Sequence, residues 1–421
     1  MCRVLCLLAL LCVVSNPALA FDVGERVRLE ATRPSGVPLH SEAKSSMFGR
    51  APTGSEGEVL ETANNGRWNK VELDGGRTAW IIEKYLRAAS GSSDSPAVSA
   101  SPVNAEDERK VWSSESECRQ VVEAGGRLDA TENQLRIATW NIRWFPEDST
   151  DLEWLSCALA WLNTDIIAVQ EITATRGAFS AMESVTDGLT GFVGGDWKLD
   201  LHGCGRDDGQ HVGFLWNADK VSMSNFEDRW RMNGAAANGN GSDCDGSLRP
   251  GRSAYASVPG GVDLHLVSVH LDSGVNDRDY NHRKASIERI GAMHGALQAT
   301  VSDADVLVLG DYNTMGTNSV AAGTEILEFR KKLGTLATPH VALVPDLECS
   351  EYFEGKCGLL DHFVLSKTLA DGEGLSAKAV VTGYCKVEGG KDLSRSNMPA
   401  AYKKLSDHCP VVISLQNTDQ D

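Results

Sequence analysis

The sequence predicts an α/β domain running from about residue 135 to the C-terminus, preceded by a small all-β barrel. Three observations predict it. From Leu135 onward, apolar runs of strand length alternate with amphipathic helical stretches, which implies sheets covered by helices. Between 21 and 88, short runs alternate apolar and polar residues and are separated by Asn- and Asp-Gly turns, the signature of antiparallel strands. Between the two, Ala88–Asn104 is rich in Ser, Ala and Pro, the composition of a flexible linker.

The first 20 residues read as a secretory leader. Arg3 supplies a positive start, Val4–Val14 is an apolar run, and Ala18-Leu19-Ala20 offers a small-residue cleavage site that leaves Phe21 first. The run is too short to span a bilayer as a helix; a retained anchor or a buried helix is the alternative. Cys12 follows Leu11, a residue larger than lipoprotein processing accepts. A periplasmic or secreted location is therefore expected, with no stable membrane insertion.

Strands are expected at Arg26–Leu29, Gly57–Leu60, Trp68–Leu73 and Thr78–Ile82, with turns at 64–66 and 74–76. Residues 106–134 are charged, hold Cys118, and suit a short helix packed on the next domain. Then come a strand at Leu135–Ile142, a helix at Leu152–Leu162 and a buried strand at Asp165–Glu171. Further strands are expected at Val212–Trp216, Leu264–His270 and Val306–Asp311, with a helix from Arg283 to Leu297.

Eleven cysteines, less Cys2, Cys6 and Cys12 in the leader, leave eight: Cys118, Cys157, Cys204, Cys244, Cys349, Cys357, Cys385 and Cys409. An even count in an exported chain fits four disulfides. No Cys-x-x-Cys pair suggests a zinc cluster. Nearness in sequence makes Cys349–Cys357 the simplest pair to expect. With 42% hydrophobic and 23% charged residues, the chain can build a packed core. The formal net charge of −18 repels polyanions at long range and argues against a tight nonspecific nucleic-acid binder. It leaves a nuclease open, since a bound cation supplies positive charge locally.

The polar residues of interest close apolar strands: Asn141, Glu171, His270, Asp311, Asn313, Asp361, Asp407 and His408. Strand ends are where loops gather a site. One such residue is usually a turn former; this many, of these types, are harder to explain as turns. Hard divalent cations take oxygen ligands, which Asn141, Glu171 and Asp407 offer. A His beside a carboxylate moves protons near neutral pH, which makes His270 and His408 candidates. His40, His202 and His294 sit in ordinary contexts.

These residues carry a resemblance. The segments 135–143, 165–171, 211–216, 251–256, 266–271, 306–313, 358–366 and 405–411 resemble, in order, the motifs of the endonuclease/exonuclease/phosphatase superfamily, in particular deoxyribonuclease I. The resemblance implies a four-layer α/β sandwich with two sheets packed face to face. It implies that Asn141, Glu171 and Asp407 hold Mg²⁺, with Mn²⁺ or Ca²⁺ as alternatives. Asp361 would orient His408 at the scissile phosphate, Asp311 and Asn313 would place nucleophile and phosphate, and His270 would contact phosphate or transfer a proton. Arg252 would stabilise phosphate charge and Arg143 would touch a backbone phosphate. One position departs: where deoxyribonuclease I pairs its first catalytic His with a Glu, this chain has Gln210, unless Asp207 or Asp208 takes that place. Separately, Trp68, the Asp74-Gly75 turn, Trp80 and Tyr85-Leu86 resemble bacterial Src-homology-3-like domains, which implies a cell-wall ligand; a structural cap is the alternative.

The function expected is metal-dependent cleavage of DNA or RNA. A phospholipid or sugar-phosphate phosphoesterase is the runner-up, although the Gly-, Asn- and Asp-rich insertion 226–250 lacks the apolar hairpin that membrane entry requires. A non-catalytic binding protein would not need the full polar set.

Overall fold

The structure, a computed structural model, describes residues 26–29, 37–41, 47–51, 55–63, 68–73, 77–82, 85–88, 105–173, 176–202, 209–236, 248–374 and 377–419. The expected leader, the linker after Ala88, the turns at 64–66 and 74–76, Cys204, Asp207, Asp208 and Cys244 lie outside these residues. The chain divides into two compact units, Met1–Ser99 and Ala100–Asp421.

The first unit is all-β. Its strands are β1 (Arg26–Leu29), β2 (Val37–His40), β3 (Met47–Ala51), β4 (Glu56–Ala63), β5 (Trp68–Leu73), β6 (Arg77–Ile82) and β7 (Leu86–Ala88). They form one antiparallel sheet in the order β3-β2-β6-β5-β4-β1-β7. Alternation decides the faces: Val27, Leu29, Val71 and Leu73 are buried, while Arg26, Arg28 and Glu72 point outward.

The second unit is a four-layer α/β sandwich. One sheet joins β8 (Gln134–Phe145), β9 (Ile166–Thr173), β10 (Trp197–Leu201), β11 (Gln210–Asn217), β20 (Val380–Val381) and β21 (Val411–Gln416), in the order β10-β11-β9-β8-β21-β20. The other joins β12 (Ser222–Arg229), β13 (Gly251–Ser257), β14 (Asp263–His270), β15 (Val306–Asp311), β16 (His340–Ala342) and β19 (Asp361–Ser366), in the order β12-β13-β14-β15-β19-β16. A small hairpin, β17 (Glu351–Phe353) with β18 (Lys356–Gly358), precedes β19. The apolar residues of β14 and β15 are buried on both faces of their sheet. Leu264, Leu266, Leu307 and Leu309 meet the first sheet, whereas Val267, Val269, Val306 and Val308 meet outer helices.

Those helices are α5 (Asp277–Glu288), α6 (Ile290–Gln298) and α7 (Ala322–Gly334); the single helix expected from Arg283 to Leu297 is broken at Arg289. The first sheet is covered by α2 (Glu115–Glu123), α3 (Leu152–Leu162) and α4 (Arg176–Val193). Helix α3 starts where Asp151 accepts the Trp154 N–H at 3.0 Å and stops at Asn163, whose φ of 53° is left-handed. Nine of its eleven residues are buried, as a run this apolar requires.

The compact unit starts well before 135. Helix α1 (Ala105–Val111) ends at Val111, whose carbonyl takes the Trp154 indole N–H at 2.8 Å. Glu108 receives the Thr382 hydroxyl at 2.6 Å, and Cys118 is bonded to Cys157. Cys349–Cys357 and Cys385–Cys409 are also disulfides. Replacing Cys118 and Cys157 together by Ser should lower stability by about 3–4 kcal/mol by loop-closure entropy, since that bridge closes a sequence separation of 39. Denaturant unfolding checks it; an unchanged midpoint would show that the bridge constrains nothing.

Candidate active site

The site is assembled where both sheets end. In the second sheet, His270 lies opposite Asp311 and Asp311 opposite Asp361, so three expected residues stand in one row on one face. The first sheet supplies Asn141 from β8 and Glu171 from β9. Strand β8 bulges here: Asn141 pairs with Gln170 and Phe145 with Ile172, so more residues on β8 than on β9 fill the gap. The bulge turns Arg143 (φ 41°) and Trp144 (φ 44°) into left-handed backbone, as is Glu171 (φ 61°). For non-glycine residues each such conformation costs about 1–3 kcal/mol and clusters at functional sites.

Asn141 ties the sheets together. Its Nδ2 donates to Glu171 Oε1 at 3.0 Å and to Asp311 Oδ2 at 2.9 Å, and its Oδ1 accepts the Arg143 N–H at 2.9 Å. The Trp144 N–H donates to Glu171 Oε2 at 2.9 Å. Asp311 Oδ1 accepts the Asn313 N–H at 2.8 Å, and Asn313 Nδ2 donates to the Leu271 carbonyl at 3.1 Å. Asn313 thereby aims Asp311 through its own left-handed turn (φ 51°).

The loop before β21 brings in Asp407 and His408. Ser406 Oγ donates to the Asn141 carbonyl at 2.7 Å and accepts the His408 N–H at 3.0 Å. Trp140 Nε1 holds the His408 carbonyl at 3.0 Å. The Asp407 carbonyl accepts both the Tyr352 N–H at 3.0 Å and the Tyr384 hydroxyl at 2.6 Å. His408 Nδ1 bonds Asp361 Oδ2 at 2.9 Å, and its Nε2 lies 3.7 Å from Asp311 Oδ2.

The two histidines are electrostatic opposites. Burial opposes a charge on His408, but Asp361 and Asp311 outweigh it and hold its pKa well above the usual value. Burial pushes His270 well below the usual value, and the nearby Arg249 and His408 cations add to this. Its Nε2 lies 3.4 Å from Asp311 and 3.7 Å from Glu171. Asp311, however, is itself pushed up to about 7, by burial first, against the opposing pull of His408. Among the described residues His270 Nδ1 has no partner. Gln210 opens β11, and its carbonyl pairs with His202 Nε2 at 3.1 Å.

The expected residues do not all join. Arg252 is held by Asp200 at 2.6 and 3.1 Å and by Asp228 at 2.8 Å, away from the carboxylate row. Arg143 donates to Glu147 at 2.6 Å and to the Tyr402 carbonyl at 3.1 Å, with its guanidinium 5.4 Å from the Tyr402 ring centre; it anchors the bulge. The cation near the row is Arg249, which donates to the His270 and Leu271 carbonyls at 3.1 and 3.2 Å and feels the charge of Glu171 and Asp311. Replacing Arg249 by Ala should lower kcat/KM on the order of a hundredfold. Arg252→Ala should instead lower stability by about 1–3 kcal/mol, by stranding two half-buried carboxylates. Kinetics and thermal melts on both variants check this, and the reverse assignment of effects would overturn it.

Sequence reading also missed Glu351 and Ser406. Glu351 forms a β-bridge with His408 and is buried, which pushes its carboxyl up to about 8. Its only signal was its place inside the short Cys349–Cys357 loop.

Glu171, His270 and Asp311 bring one ligand atom each within 4.8 Å of one another. Burial raises the carboxyls of Asp311 and Asp407, which leaves the row short of positive charge. An oxygen-rich set with one imidazole fits a divalent cation. Asn141 turns its amide N–H groups to the two carboxylates, so it orients them. The Asp407 carboxylate feels Glu171 but stands outside that trio.

No family model matches the chain, and no curated protein matches it. Solved structures do. The chain is similar to TDP2 from Caenorhabditis elegans, at 14% identity over 72% of this chain and 80% of that one, TM-score 0.46. It is similar to an endonuclease/exonuclease/phosphatase from Bacteroides vulgatus, at 15% identity over 68% of this chain and 100% of that one, TM-score 0.46. It is also similar to a mannosyl-6-phosphatase from Bacteroides thetaiotaomicron, at 14% identity over 67% of this chain and 99% of that one, TM-score 0.43.

Proposed function

We propose that this chain is an exported, divalent-cation-dependent phosphodiesterase that cleaves nucleic acid. The observation that carries the reading is the Asp361–His408–Asp311 arrangement beside Glu171. A histidine held charged by a buried carboxylate stands next to a carboxyl poised near neutrality and a cation-ready trio. His408 Nε2 offers a hydrogen bond to a phosphoryl oxygen as charge develops there. Asp311, held by Asn141 and Asn313 and 3.7 Å from His408 Nε2, would share the cation with Glu171 and orient attacking water as its hydrogen-bond acceptor. Asn313 and Asn141 fix its orientation. Arg249 adds a fixed positive charge. A cation held by Glu171, Asp311 and His270, with Mg²⁺ or Mn²⁺ the natural choices, would supply Lewis-acid stabilisation.

Export is supported by three disulfides among the described residues, where no helix is long and apolar enough to cross a membrane. The first unit is proposed to bind a cell-wall ligand. The test is a substrate panel: purified protein with Mg²⁺, Mn²⁺ or Ca²⁺ on plasmid DNA, RNA, sphingomyelin and a sugar phosphate. Hydrolysis of nucleic acid, abolished by chelator, is expected. Hydrolysis of sphingomyelin or the sugar phosphate alone would replace this reading with the runner-up, and hydrolysis of none would sink it.

A further inference from the structure

We infer that Trp144 is a stacking platform for an unpaired base flanking the scissile phosphate, so that the enzyme selects single-stranded over duplex nucleic acid. The inference rests on the proposed phosphodiesterase reading and names the substrate class of that same site.

Three observations converge on Trp144. It is 53% exposed, whereas Trp140, whose indole holds the His408 carbonyl, is almost fully buried. Its backbone N–H is bonded to Glu171 Oε2 at 2.9 Å, so the residue that carries the ring is tethered directly to the carboxylate that anchors the site. It also occupies left-handed backbone, φ 44°, directly after Arg143 at φ 41°. A bulky side chain is poorly suited to that conformation. Chain connectivity alone would be met more cheaply by glycine or asparagine there.

The surroundings make the strained bulge rigid. Arg143 is fixed by Glu147 and by the carbonyl and ring of Tyr402. The Arg143 N–H is bonded to Asn141 Oδ1, and Phe145 returns to the sheet opposite Ile172, fully buried. The exposed ring is thus carried on backbone fixed to Glu171.

The ligand chemistry follows from charge. With a net charge of −18, the protein gains little from long-range attraction to a polyanion. An aromatic face attracts a base without charge, and every base has such a face, so the contact tolerates any sequence. Bases inside a duplex are already stacked on both sides. Only an unpaired base offers its face. A phospholipid choline or a sugar ring would meet the same face by cation–π or C–H contact instead, which the loss of preference for the intact over the abasic strand distinguishes from base stacking.

The test compares an oligothymidylate with the same strand carrying an abasic analogue beside the scissile phosphate, and with a duplex. Wild-type protein should prefer the single strand to both. Trp144→Ala should lower the ratio of kcat/KM for the intact strand over the abasic strand by roughly tenfold to a hundredfold; Trp144→Phe should restore most of it. The same ratio is measured as binding of fluorescent strands to wild-type and Trp144→Ala protein in excess EDTA. A ratio that Trp144→Ala leaves as in wild type, or equal cleavage of single strand and duplex, overturns the platform while leaving the phosphodiesterase reading intact. Absence of hydrolysis with the binding ratio still dependent on Trp144 overturns the phosphodiesterase reading instead.

Discussion

Asp361→Asn is expected to lower turnover on the order of a thousandfold, the range of a lost general acid–base or orienting partner, and to move the alkaline limb of the pH–rate profile downward. His408 Nδ1 is 2.9 Å from Asp361 Oδ2, and both side chains are buried. Burial favours neutral imidazole; Asp361 and Asp311 reverse that and raise the pKa well above its usual value. The charged form therefore persists through neutral pH and is lost as pH rises through the raised pKa. An asparagine keeps the shape but removes the charge, so the imidazolium is lost at lower pH. The same linkage applies to stability: the contribution of the pair is complete below the unfolded histidine pKa and disappears above the folded one. Turnover and melting temperature against pH for both proteins measure it. A limb that stays in place would show that another group titrates there. Gln210→Ala is the comparison, because His270 has no carboxylate on Nδ1 among the described residues; its profile should keep the wild-type shape.

Glu171→Gln should cost a hundredfold or more in turnover and weaken divalent-cation binding roughly tenfold to a hundredfold. Glu171 accepts one hydrogen bond on each oxygen, from Asn141 and from the Trp144 N–H. A glutamine has one acceptor, so an amide N–H must face a donor, and the negative charge of the trio is reduced. Calorimetric titration with Mn²⁺ reads the cation directly and turnover reads the reaction. Wild-type activity that survives excess EDTA would remove the cation from the account, whatever the variant does.

Much of this site was legible because a strand end is a sequence event. Apolar runs stop at Asn141, Glu171, His270 and Asp311, and pleating with fixed register sets them side by side. Helix α3 was legible as a helix, but the amphipathic face expected of it was not found: nine of its eleven residues are buried because other helices cover it as well as the sheet. A short helix in 106–134 packed on this unit was expected, but the ties that hold that segment were not legible. Its ties are Trp154 to Val111, Glu108 to Thr382 and Cys118 to Cys157, all between residues far apart in the chain. The choice between Arg249 and Arg252 was also hidden. They flank Pro250-Gly251, and only the sheet register decides that Arg252 meets Asp200 and Asp228 while Arg249 reaches the His270 carbonyl. Gln210 signalled a missing carboxylate, and the unpartnered His270 Nδ1 is consistent with that gap.

Two disulfides border the loop that carries His408. Cys409 follows it directly and is bonded to Cys385, beside Tyr384; Cys349 precedes Ser350, whose Oγ accepts the Leu360 and Asp361 N–H groups and whose carbonyl accepts that of Cys409. The partners Asp361 and His408 are therefore positioned by segments whose freedom is removed only when thiols are oxidised. A freshly made, reduced chain holds the same side chains on looser loops, and assembling the pair then costs more conformational entropy. Covalent maturation would thus set how cheaply Asp361 and His408 come together, so thiol oxidation and assembly of the site are linked through chain entropy rather than through any contact with substrate.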